Sequence, residues 1–149
     1  FLGKPYEPNA VIKNDIEFVL MQRKPGGYRS PGPRERLLSV ISEPNYQLWF
    51  RQIWSDIRGT SNPKHPAPYP LEFAERLVRM FSFVGDTILD PFMGTGTTNL
   101  ACAQWGRNSI GVELDFDYLN LARKRLAAHG SDLYLSSTMT TRVHEHAKS

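Results

Sequence analysis

The sequence predicts an α/β fold in which parallel strands alternate with helices, and three observations support this class. Residues 88–90 have the composition of a buried strand that runs into a glycine turn at 91–96. Residues 97–105 then carry apolar side chains at helical spacing. A second short apolar strand at 109–113 and a second helix at 116–129 follow. A unit of this kind closes right-handed and forms a ligand crevice beyond the carboxyl ends of its strands.

The turn Asp90-Pro91-Phe92-Met93-Gly94-Thr95-Gly96-Thr97-Thr98 has the features of a cofactor loop. Its glycines let the backbone approach a ligand, and the start of the next helix offers unpaired N–H groups. The lysine of a phosphate-binding P-loop and the third glycine of a dinucleotide motif are both absent from this turn. A cofactor without a pyrophosphate remains, and S-adenosylmethionine fits because its ammonium group would favour Asp90.

An acidic residue also ends the second predicted strand. Glu113 lies about 20 residues beyond the glycine turn, where a carboxylate accepts hydrogen bonds from ribose hydroxyls. The basic residues Arg123, Lys124 and Arg125 suit the carboxyl-terminal half of helix 116–129. A lone Gly-x-Gly is more often a structural turn, and a lone glutamate is usually just solvated. Their joint occurrence at this spacing predicts a cofactor crevice.

Length and composition indicate one globular domain. The chain has 149 residues, of which 40% are hydrophobic and 22% charged, enough for a core. It contains no apolar run of 18 residues and no recognisable secretory signal, so we expect no membrane association. The single Cys102 cannot form an intramolecular disulfide, which favours a cytoplasmic location. On its helix we expect it to be a small buried thiol.

Positive charge is concentrated in the first part of the chain. Residues 1–70 contain ten Lys and Arg against six Asp and Glu, whereas residues 71–149 contain eight against nine. The segment 25–36 is rich in Gly and Pro and predicts an irregular basic loop, suited to a phosphate backbone or simply solvated. Among the aromatic residues of 43–59, Trp49 and Trp54 could stack on bases or anchor a small core. The candidate nucleic-acid-contacting residues are Arg23, Lys24, Arg29, Arg34, Arg36, Arg51 and Arg58.

Further elements follow from periodicity. Residues 16–22 have strand composition, whereas 34–41 could form a helix or a strand. Residues 60–70 form a proline-rich linker, and 71–83 predict a helix. A third strand is predicted at 132–135. The buried face of the helix 71–83 is expected to comprise Phe73, Leu77, Met80 and Phe81.

The order of these motifs resembles the DNA amino-methyltransferases of the permuted class, which modify the exocyclic amine of adenine or cytosine with S-adenosylmethionine. The resemblance rests on His65-Pro66-Ala67-Pro68-Tyr69-Pro70, the following helix, the turn at 90–98 and Gly111-Val112-Glu113. It extends over roughly residues 9–130. Within it, 14–20 is similar to the late strand of the catalytic half, and 53–59 is similar to the end of the target-recognition region.

The resemblance implies a Rossmann-like methyltransferase fold, three-layer α/β/α with parallel strands and one antiparallel late strand, incomplete in this chain. It implies four segments: the late strand in 1–24, part of the target-recognition region in 25–64, the S-adenosylmethionine-binding portion in 65–135 and a flexible tail in 136–149. The cofactor site that it implies comprises His65, Pro66, Tyr69, Phe73, Asp90, Pro91, Phe92, Gly94, Gly96, Thr97, Thr98, Glu113, Leu114 and Asp115.

The sequence departs from the family in one respect. The family's catalytic loop is an Asp, Asn or Ser followed by Pro-Pro and an aromatic residue, and this chain contains no such segment. We therefore assign no catalytic residue and no metal ligand. We expect this chain to be the carboxyl-terminal portion of a double-stranded DNA methyltransferase, with the loop in a segment upstream of residue 1 or on a second polypeptide. We expect it to be inactive alone and to associate with itself or with a partner chain. A non-catalytic subunit that binds S-adenosylmethionine or nucleic acid, and a methyltransferase that acts on RNA or protein, are the alternatives.

Overall fold

The computed structural model describes residues 16–59, 69–130, 138 and 140–142. Strands β1 and β2 pair in parallel, with Thr87 opposite Asn108 and Asp90 opposite Gly111. The predicted α/β class with parallel strands is confirmed. The helices and strands are α1 (Pro33–Leu38), α2 (Glu43–Trp49), α3 (Leu71–Phe81), β1 (Thr87–Asp90), α4 (Thr97–Gln104), β2 (Asn108–Gly111) and α5 (Phe116–Gly130).

The core is built from small side chains. Helix α4 connects the two strands and packs against both, and α3 packs against α4. Ala74 and Val78 of α3 meet Ala101 and Cys102 of α4. Burial raises the pKa of the Cys102 thiol to about 11, so it is a neutral packing group at neutral pH. The expectation of a buried thiol is confirmed.

The predicted buried face of α3 is wrong. The side chains that α3 buries are Ala74, Arg76 and Val78, whereas Phe81 is 57% exposed. Periodicity selected the large apolar residues, but α3 approaches α4 closely enough to bury its small residues instead. The larger residues of the predicted face are Phe73, Leu77 and Met80, and each is only half-buried.

The segment before α1 contains no strand within the described residues, contrary to the strand predicted at 16–22. Its apolar side chains, including Phe18 and Leu20, are exposed. A strand requires a neighbour for its hydrogen bonds, and β1 and β2 pair only with each other in the described sheet. The loop predicted at 25–36 is also wrong at its end, where Pro33 begins α1. The sequence left helix or strand open for residues 34–41, and the structure shows that the first part of this segment is helical.

Two tryptophans fix α2 and the chain after it onto α3. Trp49 is buried, and the guanidinium of Arg79 lies 4.6 Å from its ring centroid and 3.7 Å from that of Trp105. The indole of Trp54 donates a 2.7 Å hydrogen bond to the carbonyl of Trp49 and meets Phe73 edge-on. Both tryptophans thus serve as core anchors, which decides between the two alternatives left open by the sequence.

A buried cation completes this attachment. Arg76 is 1% exposed and pairs with Asp56, and it donates a 2.6 Å hydrogen bond to Glu72 one turn earlier in α3. A buried charge is tolerated only when it is paired, and here the two carboxylates compensate it. The Arg76 hydrogen bond lowers the pKa of Asp56, and Asp56 in turn raises the pKa of Arg76. Asp56 therefore holds the segment after α2 against α3.

We predict that Asp56→Asn lowers the free energy of unfolding by roughly 1–3 kcal/mol at pH 7, because it leaves the buried guanidinium with only one of its two carboxylate partners, Glu72. The folded pKa of Asp56 lies below its ordinary value of 3.8, so its stabilisation is present above that pH. It disappears as the pH falls through the lower folded value. Urea unfolding of both proteins between pH 7 and pH 3 measures this difference.

The matched control is Glu17→Gln, which removes a charge from an exposed position in the irregular segment. It should leave stability unchanged across the same pH range. A pH-independent loss for Asp56→Asn would contradict the role given to the ion pair.

Candidate functional site

The candidate site lies where the two parallel strands end. Because Asp90 is opposite Gly111, the chain leaves both strands at the same edge of the sheet. Two further hydrogen bonds extend the pairing: Val112 N–H donates to the carbonyl of Asp90, and Met93 N–H donates to the carbonyl of Val112, each at 2.9 Å. The glycine turn and the loop after β2 are thereby held side by side.

The turn uses glycine where other residues would be strained. Gly94 and Gly96 have φ values of +53° and +77°. Gly96 N–H donates to the carbonyl of Met93 at 2.9 Å, and its own carbonyl accepts the first hydrogen bond of α4 from Leu100. A Cβ at Gly96 would also lie 3.1 Å from Cβ of Ala122 in α5. The turn is therefore tight, left-handed and pressed against α5.

Glu113 connects the two loops through backbone amides. Its Oε2 accepts a 2.7 Å hydrogen bond from Gly94 N–H, and its Oε1 accepts 2.8 Å hydrogen bonds from the N–H groups of Leu114 and Asp115. A carboxylate has about four acceptor positions. Three are used here, which leaves about one on Oε2 for a ligand donor.

Asp90 organises the other side of the turn. Its Oδ1 accepts a 3.0 Å hydrogen bond from Phe92 N–H, and its Oδ2 lies 3.5 Å from the Tyr69 hydroxyl. That hydroxyl is also hydrogen-bonded to Oγ1 of Thr98 at 2.6 Å. Burial raises the pKa of Tyr69, so the hydroxyl keeps its proton at neutral pH. The ring of Phe73 packs edge-on against Tyr69, with centroids 6.0 Å apart.

The rim of the site is partly apolar. Phe92 and Leu114 are 88% and 86% exposed, so each presents an uncovered apolar side chain close to a carboxylate in sequence. Asp115 has a structural role, because its Oδ1 accepts hydrogen bonds from Asp117 and Tyr118 N–H at the start of α5. Two carboxylates, a tight glycine turn and exposed apolar side chains suit a nucleoside that carries a positive charge.

The structure thus brings together most of the predicted cofactor-site residues. Tyr69, Phe73, Asp90 and Thr98 form one connected group, and Glu113 joins the glycine turn to the loop after β2. Thr97 is buried at the start of α4, and Pro91 is exposed in the turn. His65 and Pro66 lie outside the described residues, as does the predicted strand at 132–135.

The predicted DNA-contacting residues divide into two groups. Arg29 forms an ion pair with Asp86, and Arg51 donates to the carbonyl of Gln47. Arg23 and Arg36 donate to nearby carbonyls within their own segment. The three that remain are exposed, and no hydrogen bond or ion pair joins them to another described residue: Lys24, Arg34 and Arg58.

Sequence reasoning missed two arginines. Arg76 lies among apolar residues of α3 and is buried, although a charged residue is ordinarily expected to be exposed. Arg125 was grouped with Arg123 and Lys124 as a helix-dipole residue, yet it hydrogen-bonds the glycine turn. Its spacing of three residues from Ala122 places both on one helix face, a signal that could have separated it from its neighbours.

The described residues contain no group of His, Cys, Asp and Glu side chains arranged to hold a metal ion. Among the helices of the same part of the chain, none combines the length and apolar character needed to cross a bilayer.

Fold and site together define an α/β protein in which two carboxylates and a glycine turn meet beyond the ends of two parallel strands. A family model described as DNA methylase matches residues 4–124. The chain therefore belongs to the DNA methylase family, and the resemblance seen in the sequence is confirmed. Its relatives include two curated type II methyltransferases, M.MthZI of Methanothermobacter thermautotrophicus and M.MjaI of Methanocaldococcus jannaschii.

M.MthZI is 40% identical over 129 residues, which cover 80% of this chain and 36% of the relative. M.MjaI is 43% identical over 122 residues, which cover 77% and 40%. Among solved structures, TTHA0409 of Thermus thermophilus, complexed with S-adenosyl-L-methionine, superposes with a TM-score of 0.74 and 53% identity, covering 87% of this chain and 51% of that one. The chain thus spans about half of this structure and less of the curated relatives.

Proposed function

We propose that this chain forms the cofactor-binding part of a DNA methyltransferase that transfers a methyl group from S-adenosylmethionine to the exocyclic amine of adenine or cytosine. The observation that carries the proposal is the arrangement of Asp90 and Glu113 around one glycine turn at the ends of paired strands. The names of the type II methyltransferase relatives and the cofactor complex of TTHA0409 support it.

In this proposal the two carboxylates bind different parts of the cofactor. Asp90 faces the methionine portion, and Tyr69 holds the carboxylate in place from α3's side of the site. Glu113 binds the ribose, with Leu114 and Asp115 near the adenine. The bound cofactor supplies a methyl group on a cationic sulfur. The residues that complete the proposed cradle are His65, Pro66, Phe73, Pro91, Phe92, Gly94, Gly96, Thr97 and Thr98.

The geometry of Glu113 adds a condition. Oε1 already accepts two amide hydrogen bonds, and Oε2 accepts one. One ribose hydroxyl can therefore bind at Oε2 without rearrangement, whereas a second requires the release of one amide. Glu113 thus both shapes the loops and binds the cofactor, so its removal should weaken binding through both effects.

Calorimetric titration with S-adenosylmethionine tests the site. We expect Glu113→Ala and Asp90→Ala each to weaken binding at least tenfold, which corresponds to about 1.4 kcal/mol. Glu17→Ala removes an exposed carboxylate far along the chain and should bind as the unsubstituted protein does. Unchanged affinity in both site variants would sink this cofactor placement.

For DNA, we propose that the exposed basic residues of the first part of the chain contact the phosphate backbone. Lys24, Arg34 and Arg58 are available because no described side chain pairs with them. Arg29 is the least suited of the predicted set, since it already forms an ion pair with Asp86. Together with the proposed nucleic-acid substrate, the single unpaired Cys102 favours the reducing cytoplasm as the location.

A salt titration of duplex binding tests this assignment. We expect the double variant Arg34→Gln, Arg58→Gln to bind duplex DNA more weakly. Its plot of log K against log salt should be shallower by about 0.9 for each phosphate that the variant no longer neutralises. The double variant Arg123→Gln, Lys124→Gln removes the same charge from the exposed side of α5 and serves as the control. Equal slopes for both variants would argue against the site, and tighter binding of an RNA duplex would favour the RNA alternative.

We further propose that catalysis requires a polypeptide that supplies the Pro-Pro-aromatic loop, because this sequence contains none. The sheet offers a surface for such a partner. Leu89 and Ile110 are 61% and 55% exposed on paired strands, and β1 has one neighbour in the described sheet. In the family, that loop holds the flipped base while the amine and the methyl group are aligned.

Transfer of labelled methyl groups to duplex DNA tests this dependence. The chain alone should transfer none, and addition of the loop-bearing polypeptide should restore transfer. Activity of the chain alone would show that the missing loop is assigned wrongly. Cofactor binding without transfer in the restored mixture would favour the second candidate, a non-catalytic binding subunit, which the absent loop also supports.

A further inference from the structure

One side chain outside the proposed cradle hydrogen-bonds the middle of the glycine turn. Nη1 of Arg125 in α5 donates hydrogen bonds to the carbonyl of Thr95 at 2.8 Å and to its Oγ1 at 2.9 Å. The same nitrogen lies 3.3 Å from Oγ1 of Thr97. Thr95 lies between Gly94 and Gly96, which both have positive φ angles, so Arg125 hydrogen-bonds the middle of the turn.

The neighbouring basic residues of α5 do nothing comparable. Arg123 and Lys124 are exposed and face away from the turn, on a shallow groove that also includes Asn120 and Ala127. Arg125 is half-buried. Three consecutive cations therefore occupy different environments, and among the three only Arg125 hydrogen-bonds the turn in the described part of the chain.

A second contact from the same face of α5 acts on the turn. Ala122 is 1% exposed, and a Cβ at Gly96 would lie 3.1 Å from its Cβ. One helical face thus supplies a steric stop at Gly96 and a hydrogen-bond anchor at Thr95. Glu113 holds Gly94 from the opposite side through its 2.7 Å hydrogen bond. The turn is fixed at three consecutive points, of which Arg125 holds the central one.

We propose that Arg125 is a positioning residue for cofactor binding: it fixes the glycine turn in its binding geometry through Thr95 without contacting the cofactor. The inference rests on the proposed function and adds a residue to it. A turn whose backbone is ordered before binding loses less conformational entropy when the ligand arrives. Removal of the anchor should therefore lower cofactor affinity and increase motion of the turn.

The chemistry of the contact gives a sharp comparison between two substitutions. All three acceptors are reached by one nitrogen, so a lysine ammonium, which has three protons, can replace the guanidinium in kind. Methionine keeps an unbranched, flexible side chain, although a shorter one, and has no donor. Arg125→Lys should thus rescue what Arg125→Met loses.

Calorimetric titration with S-adenosylmethionine is the test, with folding checked by circular dichroism. We expect Arg125→Met to bind roughly tenfold more weakly, as expected when a hydrogen bond from a charged group is removed. Arg125→Lys should stay within about threefold of the unsubstituted protein on the same scale. Arg123→Met removes a matched charge from the exposed side of α5 and should bind normally. Hydrogen exchange should be faster at the amides of 94–97 in Arg125→Met and unchanged in β1 and β2.

Thr95→Val supplies a second route should Arg125→Met fail to fold, since it removes one acceptor and keeps the carbonyl. It should weaken binding by itself, and in a double-mutant cycle it should add little to Arg125→Met. Normal affinity and normal exchange in Arg125→Met, or additive losses in the cycle, would overturn the inference while leaving the proposed function intact. Failure of the unsubstituted protein to bind the cofactor would overturn both.

Discussion

The parallel register of β1 and β2 is the constraint on which the candidate site depends. It places Asp90 opposite Gly111, so that two acidic turns about 20 residues apart in sequence leave the sheet together. The two added hydrogen bonds between Met93, Val112 and Asp90 continue that register into the loops. Only then can Glu113 reach the amide of Gly94. Strand pairing therefore sets the position of the site, and the carboxylates of Asp90 and Glu113 supply its polar groups.

Buried and half-buried arginines, more than large apolar side chains, assemble the rest of the described structure. Arg76 joins the segment after α2 to α3 through Asp56, and Arg79 stacks between Trp49 and Trp105. Arg107 is buried and donates to the carbonyl and the hydroxyl of Ser82, which ties the start of β2 to the end of α3. Each cation is compensated by carboxylates, rings or carbonyls, as burial demands. Net charge is therefore a poor guide to which basic residues of this chain are free to bind nucleic acid.

Sequence reasoning succeeded where local chemistry suffices. The sequence predicted a glycine turn between a strand and a helix, and the helices that follow it, from glycine position and apolar spacing; Gly94 and Gly96 adopt positive φ angles in that turn. Predictions from the sequence were wrong where the structure of a segment depends on the element that packs or pairs with it. Residues 16–22 have strand composition, yet a strand also needs a paired edge, which the described sheet does not give them. The large residues of α3 satisfy a helical stripe, yet the close approach of α4 buries Ala74 and Val78 instead.

The sequence by itself determined the α/β class, the glycine turn, the two acidic strand ends and the family. Each of these features is visible in a short segment or in the number of residues between two segments. The tertiary structure alone decided what the charged side chains do. Arg123, Lys124 and Arg125 are three consecutive basic residues in the sequence. The orientation of α5 against the turn places three acceptors around Arg125. Burial and partner geometry are properties of packing between elements distant in sequence. A local pattern can place Arg125 on the same face of α5 as Ala122, but it cannot identify the acceptors that this face meets.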